Sequence, residues 1–454
     1  MKRQTADNLF VIGLLITQII AVVFYGIYFE HVLNFSDNAK FVDENLFRYT
    51  MFQDVHIMIY VGFGFLLTFV HRYRLSSLSM CFWVAALSVQ YYFLFNGFWE
   101  GVFKHWADIY ILPDKLILGE VSAGATLIAL CAIIGKTNNL QYLIITIVGI
   151  FLYTLNEAIV ILVLKCRDVG GSMIIHAFGA FYGIGITWML DYKFSKNNKN
   201  LSSTQSSFTT AMIGTLFLWC FWPSFNAALA STQVEVYMAV LNSYFSIIGS
   251  CIGAYCISVL LHKGKINMDQ ILNATLAGGV VMGAGADLLH KGYVAYIVGF
   301  LVGILSAILF SYSPIFLRKI GIYDVAGVFN LHGIPGMVGG LISAIFRQVY
   351  IDDQGAVQVA GTFISIGIGL FGGLIVGVCI RCFGYYHFEN EFFNDIETVY
   401  LEDEIKEKLS HYGEGEKRPG MPLASSKDEL KALSNERKPI TFDIDNRFDP
   451  KDVI

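Results

Sequence analysis

Two nine-residue stretches hold the best-matched ionisable side chains in this chain: Asp168-Val-Gly-Gly-Ser-Met-Ile-Ile-His176 and Asp324-Val-Ala-Gly-Val-Phe-Asn-Leu-His332. Each places a His eight residues after an Asp, and the two pairs are offset by the same 156 residues. Each leads into an apolar run, Ala177 to Leu190 after the first and Gly333 to Phe346 after the second. A neutral imidazole has one donor and one acceptor nitrogen. Two such rings side by side share a hydrogen and turn their other edges outward, which suits a small neutral polar molecule better than a cation. A metal site needs a third or fourth ligand. The only other His in an apolar run is His56, at the edge of its segment, and no Cys or carboxylate is spaced to join, so neither a metal nor a cofactor is expected. No Ser or Cys is placed with a base and an orienting group, so an enzyme is the least supported class.

The elements that carry these residues must cross a membrane. Of 454 residues, 55% are hydrophobic and only 15% charged, against about 25% charged in a soluble protein. The mean hydropathy is +0.57. Apolar runs lie at Leu9 to Phe29 and at about 51–71, 78–97, 117–135, 140–164, 171–190, 208–229, 237–261, 269–287, 293–312, 325–346 and 358–381. Each is long enough, or nearly so, to span about 30 Å of hydrocarbon. The first exceeds a signal-peptide core of about 7–15 residues and is read as a retained span. The expected fold is an all-α polytopic membrane protein of twelve transmembrane helices. The Cys residues lie mostly inside the apolar runs, so no disulfide framework is implied.

The loops set the orientation. Arg72, Arg74, Lys136, Lys193, Lys196, Lys199, Lys263, Lys265, Arg318 and Lys319 fall on one side; Asp37, Asp43, Glu44, Glu100, Asp108, Glu235, Asp352 and Asp353 fall on the other. The positive side faces the cytoplasm, so both termini are cytoplasmic. Asn34-Phe35-Ser36 then lies outside as a glycosylation acceptor, whereas Asn200-Leu201-Ser202 lies inside and is unused. Span six starts outside at Asp168 and span eleven starts inside at Asp324. Spans two to six and seven to eleven form an inverted five-helix repeat, whose site belongs near the midplane. Eight helical residues rise about 12 Å, so His176 and His332 should arrive there from opposite faces.

Asp168 and Asp324 are expected to cap helix amides, which the membrane demands. Asp168 is also a negative charge at the outer mouth, with Glu157 late in span five beside it. Phe221-Trp222-Pro223-Ser224-Phe225-Asn226 lies in the outer half of span seven, where Pro223 removes a helical hydrogen bond. Residues 1–383 form the membrane domain. From Gly384 to Ile454 runs a charged cytoplasmic tail with 17 of the 36 acidic and 10 of the 31 basic residues. The net charge of −5 is therefore a property of the tail, and the near-neutral membrane part offers no nucleic acid a basic surface.

Over about residues 9–382 the chain resembles the Rh glycoprotein branch of the ammonium transporter superfamily. The resemblance is carried by Phe52-Gln-Asp-Val-His-Ile-Met-Ile, Gly170-Gly-Ser-Met-Ile-Ile-His176-Ala-Phe-Gly, Gly214-Thr-Leu-Phe-Leu-Trp through Trp222-Pro-Ser-Phe-Asn226, and Asn330-Leu-His332-Gly-Ile-Pro-Gly336. It implies a pore through each protomer, a homotrimer, and electroneutral conduction of ammonia. It also implies that His176 and His332 are the twin pore histidines, Asp168 and Asp324 the paired carboxylates, and Phe225 the inner of two gate phenylalanines. The outer gate position is Val121, where the family commonly has Phe; a valine offers no π face to a cation.

The leading expectation is thus a channel-like transporter in which ammonium gathers near Asp168 and Glu157, leaves a proton there, and crosses as ammonia. The alternatives are a CO2 or gas channel through the same fold, and a membrane scaffold or sensor whose tail binds an unidentified cytoplasmic partner. The lipid bilayer is an implied partner of any of these. The plasma membrane is the expected location, with an intracellular vesicle membrane as the alternative.

Overall fold

The computed structural model describes residues 3–30, 39–104, 109–190, 203–351, 355–382 and 395–400. Asn34, the loop at 191–202 and nearly all of the tail from 384 onward lie outside the described residues. Each of the twelve apolar runs contains helix. In order these are α1 (Arg3–Tyr28), α2 (Ala39–Ile57, continued by a π-turn over Met58–Phe63), α3 (Arg74–Phe103) and α4 (Pro113–Cys131). Next come α5 (Asn139–Glu157, continued by a π-turn over Ala158–Val163), α6 (a π-turn Ser172–Ala177, then Phe178–Met189), α7 (Gln205–Ala227) and α8 (Gln233–Leu261). The last are α9, broken into Met268–Ala274 and Ala277–Met282, then α10 (Gly292–Lys319), α11 (a π-turn Phe329–Gly333, then Ile334–Tyr350) and α12 (Gly355–Cys382). The only pairing of extended chain among the described residues is a two-residue parallel contact of Phe29–Glu30 with Ile109–Tyr110.

Ten of the described helical stretches are long and apolar enough to cross a membrane. The two runs not among them are α4 and α9. α4 carries Asp114, Lys115 and Glu120 and is buried over most of its length, while α9 is short and interrupted. Helices enclosed by protein need no lipid-facing apolar surface, so their composition is freer.

Helix starts follow local chemistry. Asn138 with Gln141, Thr204 with Ser207 and Thr232 with Glu235 form reciprocal side-chain caps. Helices cross closely where a glycine faces a backbone carbonyl: Gly299 and Gly303 of α10 lie against Ser246 and Ser250 of α8, and Gly369 and Gly373 of α12 lie against Phe178 and Tyr182 of α6. A methyl group at any of these four would force the helices apart, the usual logic of small residues in membrane helix crossings.

The packing is duplicated. Contacts of α3 with α4 and α5 recur as contacts of α8 with α9 and α10, and those of α4 with α6 recur as α9 with α11. α6 and α11 cross at the centre, where Gly336 of α11 lies against the Ser172 carbonyl (2.5 Å for an added Cβ). Their directions are opposed: the C-terminal end of α6, through Thr187 Oγ1, donates to the Tyr323 carbonyl (2.7 Å) just before α11 begins.

Candidate functional site

Each His is presented by the same local device. Asp168 Oδ2 accepts from the amides of Met173 (2.9 Å) and Ile174 (2.8 Å). Asp324 Oδ1 accepts from Gly327 and Val328 (3.0 Å each), and Oδ2 accepts from Phe329 (2.9 Å). Three residues after each Asp stands a glycine with positive φ, Gly171 at +71° and Gly327 at +73°. Glycine adopts this left-handed conformation without steric cost. It turns the chain so that the amides beyond it point back at the carboxylate. A π-turn follows in both copies, ending at Ala177 and Gly333, and His176 and His332 lie within these turns. The repeat therefore extends beyond Asp and His to the glycine between them, a match that the 156-residue offset already contained.

The two imidazoles meet. Nδ1 of His176 lies 3.1 Å from Nδ1 of His332, with ring centroids 5.1 Å apart and planes within 12°. Both are buried, at 1% and 3% exposure. A single hydrogen lies between the two Nδ1 atoms, so one ring keeps an Nε2 acceptor and the other an Nε2–H donor. His176 Nε2 is buried without a hydrogen-bond partner. The pair thus offers one edge of each polarity along its line.

Aromatic rings close both ends of that line. On one side, Trp222 (centroid 5.6 Å, 25°) and Phe225 (5.9 Å, 43°) flank His176. On the other, Phe63 lies 6.4 Å from His332 at 21°. Asn226 donates to Ser243 Oγ (2.9 Å) and to the Gly279 carbonyl (3.0 Å), which ties the end of α7 to α8 and α9 and so sets Phe225. Beyond His332 lies a small pocket lined by Phe63, Leu67, Leu272, Leu331 and, at its polar edge, Asp269. Trp222 and Phe63 were not singled out by their spacing. Trp222 was visible inside its motif; Phe63 had no signal, because its direction depends on the π-turn of α2.

The other expected residues fall in distinct places. Val121 is buried in the same apolar cluster as Phe225. The residue before it, Glu120, is bonded through Oε1 to His56 Nδ1 at 2.8 Å, a pairing that a His at the edge of its span did not announce. Glu157 is nearly enclosed between α3 and α5, where it accepts from Tyr92 and Asn96, rather than lying among the rings around His176. Asp168 lies beside an ionic cluster: Arg167 Nε is 2.6 Å from Asp287 Oδ2, and its guanidinium also reaches Glu235. At the opposite end, Lys136 donates to Thr187 Oγ1 (2.5 Å) and to the Tyr323 carbonyl, pinning the start of α11.

Burial pushes the Asp168 carboxyl up to about 7, against the pull of the Ile174, Met173 and Ser172 amides. Burial likewise raises Asp324 and pushes the Lys136 ammonium down to about 7. Asp168 is therefore ionised above neutrality and protonated below it. Any cation drawn to it binds more weakly as the pH on that side falls through about 7. Cation-dependent uptake in proteoliposomes should show this as a rising KM on acidification, with Asp168→Asn flattening the profile.

Similar proteins agree with this architecture. The model of the Ammonium Transporter Family matches residues 16–387. A medaka (Oryzias latipes) protein, "Ammonium transporter Rh type B", is 36% identical over 403 residues, covering 81% of this chain and 87% of its own length. "Ammonium transporter Rh type C" of Bos taurus is 40% identical over 370 residues, covering 75% and 79% respectively. The structure of Nitrosomonas europaea Rh50 superposes with a TM-score of 0.72 at 29% identity, covering 82% of this chain and 97% of that one. Saccharomyces cerevisiae Mep2, at 14% identity and a TM-score of 0.64, shares the fold. Duplicated caps, crossed helices and family match together make the chain a multi-pass member of the ammonium transporter family, a family of transporters and channels rather than enzymes.

Proposed function

We propose that the chain conducts ammonia across a membrane electroneutrally, recruiting it as ammonium at the mouth marked by Asp168. The observation that carries the reading is the pair of buried imidazoles, 3.1 Å apart and enclosed by aromatic rings. A charge at the centre of a bilayer is expensive. Leaving the proton at the mouth and passing the neutral molecule through an apolar conduit avoids that cost. Ammonia both donates and accepts hydrogen bonds, so it matches the two edges the imidazole pair presents. Phe225 and Val121 narrow the entrance, and the valine gives no π face, which favours the neutral species over the cation. The relatives' printed names, ammonium transporters of Rh types B and C, support the same substrate. The proposed assembly is a homotrimer with a pore in each protomer, both termini cytoplasmic, Asn34 glycosylated outside, in the plasma membrane.

The test is an ammonium gradient imposed on proteoliposomes with pH and current recorded together. The expected result is luminal alkalinisation without a matching current. A current that scales with ammonium would replace this reading with net transport of the cation.

A further inference from the structure

The stretch Phe52-Gln-Asp54-Val-His56 of α2 holds two polar side chains that conduction past the imidazoles does not use. Each reaches a different neighbour. Asp54 Oδ2 accepts from Ser224 Oγ of α7 (2.7 Å). His56 Nδ1 donates to Glu120 Oε1 of α4 (2.8 Å). Ser224 stands immediately before Phe225, and Glu120 immediately before Val121. One short stretch of α2 therefore grips both walls of the entrance, each from one residue away. Residues two apart on an α-helix point about 200° apart, so Asp54 and His56 leave α2 on opposite flanks. Val55, between them, is fully buried in the cluster that also holds Val121 and Phe225.

Both contacts belong to longer seams. α2 and α7 run antiparallel. Arg48 donates to the carbonyls of Ala228 and Ala230 (2.7 Å to the latter), Asp54 meets Ser224, and an added Cβ on Gly62 would lie 2.8 Å from Leu218. Farther in, Gly214 of α7 faces the Leu66 amide. α2 and α4 run parallel. His56 meets Glu120, and one turn on Gly124 lies against Ile59 (3.2 Å for an added Cβ). Glycines close the inner half of the α2–α7 seam. The outer half is different, because Pro223 withholds the amide that would bond the Trp219 carbonyl. The turn carrying Phe225 thus depends on grips from outside its own helix. Asn226 supplies them towards α8 and α9, and Arg48 and Asp54 supply them from α2. Glu120 depends on α2 as well: it is 3% exposed, and a buried carboxylate stripped of its partner is costly.

We propose that Asp54 and His56 are the positioning residues that hold Phe225 and Val121 at a separation admitting ammonia and rejecting its methylated analogue. The inference rests on the ammonia reading above. A valine at 121 leaves more room than a ring would. The width of the entrance then depends on where α4 and α7 stand, and α2 bridges the two at this level. Loss of the hydrogen bond on either flank lets one wall move outward.

The test uses the full chain in proteoliposomes, with ammonium-driven and methylammonium-driven alkalinisation measured on the same vesicles. The wild type should favour ammonium. Ser224→Ala and Asp54→Ala remove the same hydrogen bond. Each should raise methylammonium flux relative to ammonium about tenfold, the lower end of what a pocket achieves in discriminating one methylene. The double variant should add nothing further, as expected of two groups in one contact. Asp54→Asn keeps an acceptor for the Ser224 hydroxyl and should restore the wild-type ratio. His56→Phe keeps a ring against Phe52 (5.3 Å) and Tyr60 (4.7 Å) but cannot donate to Glu120, and should shift the ratio the same way. An unchanged ratio in Ser224→Ala or in His56→Phe would overturn the inference. A matched fall of both fluxes with a lowered melting temperature, the mark of a purely structural contact, would overturn it equally. A wild type that does not alkalinise on ammonium would remove the ammonia reading itself, and the sieve with it.

Discussion

Replacing His332 with Ala lowers ammonia flux in proteoliposomes by about ten- to a hundredfold, as expected when a buried partner is removed and the remaining polar group costs about 1–3 kcal/mol. The reason is geometric. The Nδ1 atoms of His176 and His332 share one hydrogen at 3.1 Å, and each ring holds the other in the plane of the path. Truncating one leaves the other with an unmatched Nδ1 in an apolar site, free to turn towards Trp222 or Phe63. His176→Ala should cost a similar amount, and the double variant far less than the product of the two. Coupling of this kind is expected of groups in direct contact. Additive losses would mean that the two rings act independently. Permeability to CO2, which has little use for a donor–acceptor pair, should be nearly unchanged in all three and serves as the control for a collapsed conduit.

The second large effect concerns folding. Asp324→Ala removes an acceptor that satisfies three backbone amides at the start of α11, those of Gly327, Val328 and Phe329. Each amide left bare in protein interior costs about 1–3 kcal/mol, so the variant should lose most of its folded yield in detergent, seen as aggregation on size-exclusion chromatography. Asp324→Asn keeps one acceptor oxygen and should recover a substantial share of that yield. Asp168→Ala should be milder, because Arg167 beside it holds the loop through Asp287, Glu235 and Gln358. Equal yields for Asp324→Ala and Asp324→Asn would show that the caps are not what holds these turns.

Much of the scaffold was legible in the residues. A backbone in lipid must satisfy its own hydrogen bonds, so long apolar runs can only be helices, and helices stand at all twelve. The Asp–Gly–His repeat at a constant offset, together with an odd number of spans between its copies, required α6 and α11 to approach from opposite sides. The exceptions were α4 and α9, whose charges or breaks are tolerated because protein rather than lipid surrounds them. Less of the site was legible. Glu157 read as part of an open mouth, yet it lies nearly enclosed among Tyr92 and Asn96, because π-turns and helix crossings rotate side chains in ways that linear spacing does not encode. Phe63 on His332 and Glu120 on His56 had no signature for the same reason.

The order of residues alone determines that this chain is helical and membrane-embedded, that its two halves are inverted copies, and that an Asp-capped turn delivers a His from each. These are properties of local composition and periodicity, which act along the chain. Tertiary packing alone decides that the imidazoles face each other through Nδ1, that Trp222, Phe225 and Phe63 enclose them, and that Tyr92 and Asn96 close around Glu157. Those outcomes depend on how α-helical and π-helical turns are phased where helices cross, and phase is set by contacts between residues far apart in the chain.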